Sequence, residues 1–372
     1  MRLKSLIAIC TLSLFFLGGC WDNVDIGKQN YAMLVALEGK IGDVKGHIQC
    51  SDPTSPEASD NSTDMLDIKG AGVNISAFIG DAEAQSDKLV TYEHLQLILL
   101  TPDFFSNNML DCMQDFMSRA EVQKTADIVI TDAEITKLLD VSVNNKPFYK
   151  HVCGMLASDG ITSSTALLDS SLISVCRLQK DGHPFRVNKI GFKEDSNEVF
   201  LEGFGVFSGE RFCGYVDKKL GEYSRWFAPE SDNFYLSCLM EGENKPVGFR
   251  CVSSESSVHA DKNGDYFTLK LKVDAAFRLN EYDQKDSLSP FDSKFYKAAE
   301  NAIFNAVLAQ CTEVIAFAQN SLKADFLGFS RAVENEHPDW WEENHDKWDA
   351  FFTTASIEYD INCSLITTGD LK

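Results

Sequence analysis

The feature that most constrains this chain is an apolar run near its start that ends in a cysteine. Leu6 to Leu17 form a mainly apolar run of twelve residues behind a short basic head. This run is shorter than the ~17–25 residues that span a bilayer, and it is typical of a signal peptide. It ends in Leu17-Gly18-Gly19-Cys20, which has the form of a bacterial lipobox. We therefore predict that residues 1–19 are a lipoprotein signal peptide and that Cys20 is the lipid attachment site.

Ordinary signal cleavage, with Cys20 as an incidental thiol, is the alternative. A small-x-small cleavage site that ends at Gly19 would need a small residue at position 17, and Leu17 is large. The lipobox is therefore the better interpretation. It implies a thioether-linked diacylglycerol on Cys20, usually with an amide-linked N-acyl chain such as palmitate, and we expect no other cofactor.

The charge balance excludes partners that are bound through basic surfaces. The chain has 34 basic and 56 acidic residues, which gives a formal net charge of −22. Nucleic-acid phosphates and anionic lipid headgroups are bound mainly by Lys and Arg, so we predict no nucleic-acid partner. Attachment to a membrane then depends on covalent lipid, and two or three acyl chains form a lasting tether where one chain binds only weakly.

The cysteines give little support for a metal site or a disulfide framework. Apart from Cys10 and Cys20, nine cysteines remain, an odd number without any C-x-x-C pair. Most of them lie in apolar contexts, where free cysteine behaves as a small buried hydrophobe. We predict free thiols, and we interpret them as a sign of an anaerobic source. The nine are Cys50, Cys112, Cys153, Cys176, Cys213, Cys238, Cys251, Cys311 and Cys363.

The first part of the mature chain, which we assign to an N-terminal domain at residues 20–195, has a mixed α and β pattern. Residues 52–64 are rich in Pro, Ser, Asp and Asn and predict a mobile loop. Asp132 precedes a helical pattern, and we expect it to cap that helix. Strands are predicted at 30–39, 44–52, 94–100 and 126–131, and helices at 77–87, 107–121 and 132–141.

The second part, residues 196–372, is assigned to a C-terminal domain. Strand-like runs flank a turn at 208–211, and the run at 265–279 alternates apolar and polar residues like a half-buried strand. A long amphipathic helix is predicted from about Ser293 to Lys323, followed by two shorter helical pieces and a last strand at 356–369. We predict an α+β fold of mixed sheets with packed helices. In this domain we expect the last strand to fold back on the first strands.

The sequence lacks the common catalytic motifs. It contains no Gly-x4-Gly-Lys-Ser/Thr phosphate loop, no His-Glu-x-x-His, no Gly-x-Ser-x-Gly and no Ser-x-x-Lys. The segment GFGVFSG at 203–209 is spaced loosely like a nucleotide loop, but no helix follows that could present its N-terminus to phosphate. We favour a hairpin with small residues there. No catalytic, cofactor-binding or metal residue is predicted, and we expect that the protein is not an enzyme.

Three other features are weak candidates for chemistry. His337 and His345 lie among seven acidic residues and could bind a metal, although a solvated helix that begins at Pro338 is the more ordinary interpretation. His94, beside a buried strand, fits a structural histidine. Cys213 is the last weak candidate, and nothing local supplies the base and the lowered pKa that a catalytic thiol requires.

Two tryptophans near the C-terminus predict core packing. Trp341 and Trp348 are seven residues apart and would share one face of a helix. We expect them to pack inward with Phe351 and Phe352 in preference to forming a partner-binding surface.

Several motifs together resemble the Ger(x)C family, the C-subunit lipoproteins of spore germinant receptors. The resemblance runs from Cys20 to Gly369. Its most specific parts are Cys-Trp-Asp after the lipobox and Asp-x-Leu-Gly-Phe at 325–329. The motifs are GCWDNVDI (19–26), YEHLQLILL (92–100), MQDFMSRAEVQKTADIVIT (113–131), LLDV (138–141), LEGFGVFSGERFCGY (201–215) and ADFLGFSRAVENEHPDWWEENHDKWDAFF (324–352).

The resemblance implies a peripheral lipoprotein on the outer face of the cytoplasmic, or spore inner, membrane. Such a subunit works with two integral membrane subunits, an A-type and a transporter-like B-type, in a receptor that senses small nutrients and triggers spore germination. The family is built from α+β modules without enzymatic activity. Cys20 matches the acylated cysteine of the family, and Trp21 and Asp22 match a family motif.

Two alternatives remain from other classes. A solute-binding lipoprotein of a transporter would explain an anchor and an acidic body, but the alternating strands at 265–279 and 356–366 fit poorly with its repeated strand–helix pattern. A membrane-tethered hydrolase is disfavoured by the missing nucleophile and metal motifs.

Overall fold

The computed structural model describes residues 25–54, 65–143, 145–157, 169–241, 243–264, 266–282 and 292–367. The signal peptide at 1–19, the lipid attachment site Cys20 with Trp21 and Asp22, and residues 55–64 of the predicted mobile loop lie outside the described residues. These expectations therefore stay predictions. In the described part the chain has the predicted α+β fold, with mixed sheets and packed helices.

The strands contribute to two large sheets and one small hairpin. In chain order they are β1 (Gln29–Lys40), β2 (Asp43–Ser51), β3 (Leu66–Gly72), β4 (Leu89–Thr91), β5 (Leu97–Leu100), β6 (Asp127–Thr131), β7 (Ser142–Val143), β8 (Lys146–Pro147), β9 (Phe185–Lys193), β10 (Glu198–Ser208), β11 (Arg211–Asp217), β12 (Glu230–Ser231), β13 (Tyr235–Cys238), β14 (Val247–Asn263), β15 (Tyr266–Glu281) and β16 (Ser356–Thr367).

The helices pack on the faces of these sheets. They are α1 (Ile75–Glu83), α2 (Pro102–Ser118), α3 (Ile135–Leu139), α4 (Phe148–Ala157), α5 (Leu172–Lys180), α6 (Lys218–Tyr223), α7 (Ser293–Ala316, continued by a π-helical turn Phe317–Leu322), α8 (Phe329–Glu336), α9 (Pro338–Asn344) and α10 (Trp348–Thr354).

The first sheet has a parallel centre and antiparallel flanks. Its strand order is β11-β10-β9-β6-β5-β1-β2-β3, with β4 beside the start of β1. The central strands β1, β5, β6 and β9 run parallel. Parallel strands are buried on both faces and read as continuous apolar runs, and all four residues of β5, Leu97–Leu100, are buried.

Helices cover both faces of the first sheet. Helices α1, α2 and α5 pack on one face, where Phe78, Phe104 and Phe116 are buried. Helices α3 and α4 pack on the other face, where Leu138 and Phe148 are buried. The sheet therefore has a hydrophobic core on each side.

The second sheet has the order β12-β14-β15-β16, with β13 also paired to β14. The long strands β14 and β15 form an antiparallel hairpin, and β16 pairs with β15 in parallel. The predicted alternation of β15 is confirmed, because Phe267, Leu269 and Leu271 are buried while Lys272 is exposed. Helices α7, α8 and α10 cover the buried face, and this core continues onto the first sheet through Phe204.

The predicted boundary between residues 195 and 196 falls in the 3-10 turn Glu194–Ser196, between β9 and β10. These two strands are antiparallel neighbours. The first sheet therefore takes strands from both predicted domains, and the division into two domains stays a prediction.

Two local expectations were wrong. Asp132 does not cap α3, which begins at Ile135 with Glu134 at its N-cap and without a side-chain cap; Asp132 forms an ion pair with Lys189 of the nearby β9. The last strand, β16, does not return to β10 or β11. It pairs with β15, because the helices α7 to α10 supply the long crossover that a parallel pairing requires.

One helix in the described ranges, Ser293–Leu322, is long and apolar enough to cross a membrane by length and composition. Its residues Phe295, Ile303 and Val307 are buried in the core against the second sheet. The core helix of a folded domain meets the same criterion, and the packing identifies this helix as one.

Candidate functional site: the seam between the two sheets

The residues that join the first sheet to α8, α9 and α10 form what we call the seam. It lies where His183, just before β9, meets Glu334 of α8. The Nε2 atom of His183 donates a hydrogen bond to Oε2 of Glu334 at 2.9 Å, and the histidine side chain is 4% exposed. The His183 ring also stacks on Trp341 of α9, with ring centroids 4.8 Å apart and planes tilted by 19°.

The turn before His183 is fitted closely to the C-terminal helices. The carbonyl of Asp181 accepts a hydrogen bond from Nε1 of Trp341 at 3.2 Å. Gly182 has φ +81°, and a Cβ at this position would lie 2.4 Å from Cδ2 of His345. Only glycine combines this left-handed backbone with such a close approach.

A second contact clamps the β10–β11 turn onto α10. Asp349 accepts hydrogen bonds from Nη2 of Arg211 at 2.6 Å and from Oγ of Ser208 at 2.9 Å. The Arg211 guanidinium also donates to the carbonyl of Lys323 at 3.0 Å. The predicted turn at 208–211 is thus both a hairpin turn and an attachment point for the C-terminal helices.

The Asp-x-Leu-Gly-Phe motif forms a buried hydrogen-bonding centre beside the seam. The carboxylate of Asp325 accepts from the backbone N–H groups of Leu327 and Gly328, each at 3.0 Å, and from the backbone N–H of Ser330. It also accepts from Nε1 of Trp348 at 3.1 Å. Gly328 has φ +96°, which lets the chain curl around the carboxylate. The motif therefore fixes the start of α8 to α10.

Burial shifts the pKa values of the ionisable side chains at and beside this centre. Burial raises the pKa of the Asp325 carboxyl, and the N–H donors around it oppose that shift. Burial lowers the pKa of Arg186 on β9 to about 10, while the negative charge of Asp325 acts in the opposite direction. Arg186 on β9 and Asp325 before α8 thus lie on the two sides of the boundary between the first sheet and the C-terminal helices.

A small polar cleft of about 240 Å³ opens at the seam. Its charged groups include two arginines and two acids, so it shows no single sign of charge that would select an anion or a cation. Within the ranges that the structure describes, no group of three or more His, Cys, Asp or Glu could hold a metal ion. The cleft is lined by Arg177, Leu178, Asp181, His183, Arg331, Glu334 and Asn335.

The two histidines that were candidate metal ligands, His337 and His345, each bind a backbone carbonyl. His337 donates from Nε2 to the carbonyl of Ala260 at 2.8 Å, and His345 donates from Nδ1 to the carbonyl of Trp341 at 3.2 Å. Each therefore has a backbone partner of its own. Pro338 begins α9, as the sequence predicted.

The other weak candidates also have structural roles. The exposed ring of His94 packs on Tyr31 with centroids 4.6 Å apart. Burial raises the pKa of Cys213 to about 11, the opposite of what a reactive thiol requires. The GFGVFSG segment lies in the β10–β11 hairpin, where Gly203 has φ +147° at a shift of the strand register.

The inward packing of the aromatic residues is confirmed. Trp341, Trp348 and Phe352 are buried, and Phe351 is half-buried. The two tryptophan rings lie 6.0 Å apart. They come from two successive helices, α9 and α10, and not from one helix as their spacing suggested.

Sequence reasoning missed His183 and Glu334. His183 lies outside every quoted motif, and Glu334 lies inside the motif at 324–352 without any sign of its partner, which is 151 positions away in the chain. Asp325 and Gly328 did carry a signal, since they belong to the Asp-x-Leu-Gly-Phe motif. Its hydrogen-bonding role became visible only in the folded chain.

Two family models match the chain in order. The model described as "Spore germination protein N-terminal domain" matches residues 22–177. The model described as "Spore germination B3/GerAC like, C-terminal" matches residues 202–369. Together they extend over most of the chain; the turn Asp181–His183 at the seam lies between the two matched ranges.

Known proteins match over nearly the full length. The chain is similar to spore germination protein B3 of Bacillus subtilis (strain 168), with 18% identity over 99% of each chain. It is similar to spore germination protein YndF of the same strain, with 20% identity over 100% of this chain and 98% of the relative. The crystal structure of the GerBC protein matches with a TM-score of 0.59 and 16% identity, over 89% of this chain and 96% of that one. This last likeness shows a shared α+β fold.

Proposed function

The chain belongs to the GerAC-like family of spore germination proteins, the family of germinant-receptor C subunits, and from this premise we propose that it is a membrane-anchored lipoprotein needed for nutrient-triggered germination. The observation that carries the proposal is the match of both family domains in order, at 22–177 and 202–369, directly after the lipobox cysteine Cys20. The relatives match over almost their whole length, so the likeness is not confined to one module.

The position of Cys20 supports a close attachment to the membrane. Asp25, the first described residue, is five positions after Cys20. Five extended residues reach at most about 17 Å. An acylated Cys20 would thus hold Asp25, four residues before β1, close to the outer face of the cytoplasmic, or spore inner, membrane. The net charge of −22 makes a purely electrostatic attachment to anionic lipid unfavourable, so the acyl chains would supply the tether.

Within the receptor we propose that the folded body associates with integral membrane subunits, one A-type and one transporter-like B-type. We propose no catalytic role. The described histidines His337 and His345 each have a backbone partner. Burial raises the pKa of the Cys213 thiol, and a raised pKa disfavours the nucleophilic thiolate. A solute-binding lipoprotein is not favoured, since the full-length relatives are germination proteins.

The test is Cys20→Ala in a sporulating host. We expect the variant to be lost from the membrane fraction of spores and germination in nutrients to be slowed, because the tether is removed. Cys213→Ala is the matched control: it also removes one thiol, but from a half-buried site in β11, and should leave membrane recovery unchanged.

Affinity capture from membranes of the same strains tests the partners. The parent chain should recover two multi-pass membrane proteins, and Cys20→Ala should recover less of both. Unchanged membrane recovery together with unchanged germination would show that the anchoring role is wrong. Capture of an ATPase and a permease would instead favour transport.

A further inference from the structure

Strand β16 is the edge strand of the second sheet in the part of the chain that the structure describes. It has twelve residues and pairs with β15 on one side, and among the described residues no strand pairs with its other side. Natural edge strands are usually short, bulged, or protected by Pro or Lys. From Ser356 to Leu365 the pairing of β16 with β15 has no bulge, and this stretch contains neither Pro nor Lys.

The backbone groups that face this open edge can be identified. The N–H of Leu365 donates to Oε1 of Glu300 on α7 at 3.2 Å, so it points away from β15. Along a strand, every second N–H points to the same edge. The N–H groups of Ile357, Tyr359, Ile361 and Cys363 therefore point to the open edge as well.

The apolar side chains at this edge are incompletely covered. Ile357, Tyr359, Ile361 and Cys363 face the core but are only half-buried. Their neighbours across the pairing, on β15, are buried: Leu269, Leu271, Val273 and Ala275. The side chains on the buried face of the sheet thus become more exposed to solvent at β16 than on β15.

Helix α7 runs along the same edge and supplies a second wall. Glu300 contacts Leu365 as described. Burial raises the pKa of Tyr359, and the side chain of Thr312, which lies near that of Tyr359, acts in the opposite direction. Phe304 and Leu308 lie between these two contact residues, at four-residue spacing along one row of the helix. Phe304 is 36% exposed and Leu308 is half-buried. Strand β16 and this row of α7 therefore line an apolar groove.

Acidic side chains line the outer rim of the groove. Glu358 and Asp360 are exposed on the opposite face of β16. Glu358 lies 3.7 Å from Lys270, whose Nζ is closer to Asp261, at 2.6 Å. The negative charge of the rim is therefore only partly neutralised, and opposite charges on adjacent strands stabilise their pairing.

We propose that this groove binds an extended segment of a partner protein by strand addition. The segment adds to β16, places alternate apolar side chains against Phe304 and Leu308, and places Lys or Arg beside Glu358 and Asp360. The backbone hydrogen bonds supply affinity, and the alternation of apolar and basic residues supplies specificity. A second copy of this chain is a poorer occupant, because two bodies with a charge of −22 each repel one another. The inference is independent of the receptor role.

The experiment uses the full chain purified in detergent and a short synthetic peptide that alternates valine and lysine. We expect saturable binding, weakened by salt, and hydrogen-exchange protection of the amides of Tyr359, Ile361 and Cys363. A peptide that alternates valine and glutamate should bind at least about tenfold more weakly.

The matched variants separate charge from folding. Glu358→Lys/Asp360→Lys changes two exposed residues and should reverse the preference between the two peptides. Asp111→Lys/Asp195→Lys makes the same change in net charge at exposed sites on α2 and in the turn after β9, and should leave the preference unchanged. Phe304→Asp should weaken the binding of both peptides. Far-UV circular dichroism and the midpoint of thermal unfolding check that this variant is folded.

Equal binding of both peptides, or protection that maps away from β16, would overturn the proposal. So would self-association of the chain that protects the same amides in the absence of peptide, because the groove would then be an interface between copies. An unchanged preference in Glu358→Lys/Asp360→Lys would contradict the assigned role of the rim.

Discussion

His183 and Glu334, 151 positions apart in the chain, are joined by a hydrogen bond of 2.9 Å between Nε2 and Oε2. The histidine is buried, and its Nδ1 atom has no hydrogen-bond partner among the described groups. Glu334 is therefore the polar partner of this ring. The contact couples the entry to β9 with α8, and so connects the first sheet to the C-terminal helices.

Glu334→Ala should destabilise the fold by roughly 1–3 kcal/mol, because it leaves a buried imidazole without its partner. The measurement is the free energy of unfolding in urea. Glu343→Ala, at an exposed position in α9, is the control and should change stability by less than about 0.5 kcal/mol. Equal effects of the two variants would mean that the seam contact contributes little.

Gly203→Ala and Gly209→Ala should differ strongly although both glycines belong to the GFGVFSG segment. At Gly203, φ is +147° and a Cβ would lie 2.0 Å from the carbonyl oxygen of Val216. We expect a loss of about 3 kcal/mol or more there. At Gly209, φ is +58° with open space around the Cβ, so the loss should be about 1 kcal/mol. Thermal unfolding of both variants checks this order, and a reversed order would contradict the packing of the hairpin.

Asp325→Asn should cost roughly 3 kcal/mol, because an amide keeps one acceptor oxygen where the carboxylate has two for its N–H donors. Unfolding in urea, followed by tryptophan fluorescence, measures the loss and also reports on Trp348. The exposed Glu342→Gln in α9 is the control. If Asp325→Asn is as stable as the parent chain, the motif does not hold α8 to α10 through this carboxylate.

Asp127 should make stability fall between about pH 4 and pH 6. Burial, and secondarily the charge of Asp169, raises the pKa of Asp127 from 3.8 to about 6. The folded state then holds the proton more tightly than the unfolded state, so stability is highest below pH 4 and declines as pH rises through this window. Asp127→Asn should remove the decline and stabilise the protein by at most about 3 kcal/mol at pH 7.

Urea unfolding at pH 4, 5, 6 and 7 measures the difference between this variant and the parent chain. That difference should grow up to pH 6 and then stay constant. Asp111→Asn, at an exposed site in α2, should show no such growth. A constant difference for Asp127→Asn over the whole range would disprove the raised pKa.

Thiol titration should show whether the cysteines are buried and whether Cys20 is acylated. The nine described cysteines are free. Burial raises the pKa of Cys50, Cys251 and Cys363 to about 12, so the folded chain should react slowly at pH 8. In denaturant and without reductant, nine thiols should react if Cys20 carries lipid and ten if it does not. A count well below nine would reveal disulfides.

Much of the fold was predictable because it rests on local patterns. Continuous apolar residues indicated the buried β5, and strict alternation indicated β15. The helical spacing after Ser293 predicted α7. The cap of α3 was mispredicted because Asp132 has a stronger partner in Lys189, on a strand that follows much later in the chain.

The candidate site was less predictable. Trp341 and Trp348 were expected in the core from their spacing, and they are buried there. The partner of Trp341, His183, carried no signal, since a lone histidine has the same appearance in sequence whether it is solvated or paired. Only the folding of α9 against the turn before β9 makes this contact visible.

The sequence by itself determined the elements, the predicted export signal with its lipobox, and the family, because each depends on residues that are close together in the chain or on motifs in a fixed order. The tertiary structure decided that β10 and β11 join the first sheet and that β16 is the last strand of the second sheet in the described part of the chain. It also decided that Arg211 and His183 join the first sheet to the C-terminal helices, and that Asp325 holds α8 to α10. These features depend on pairings between distant segments. Their energies come from burial and hydrogen bonding between surfaces that exist only once the chain has folded.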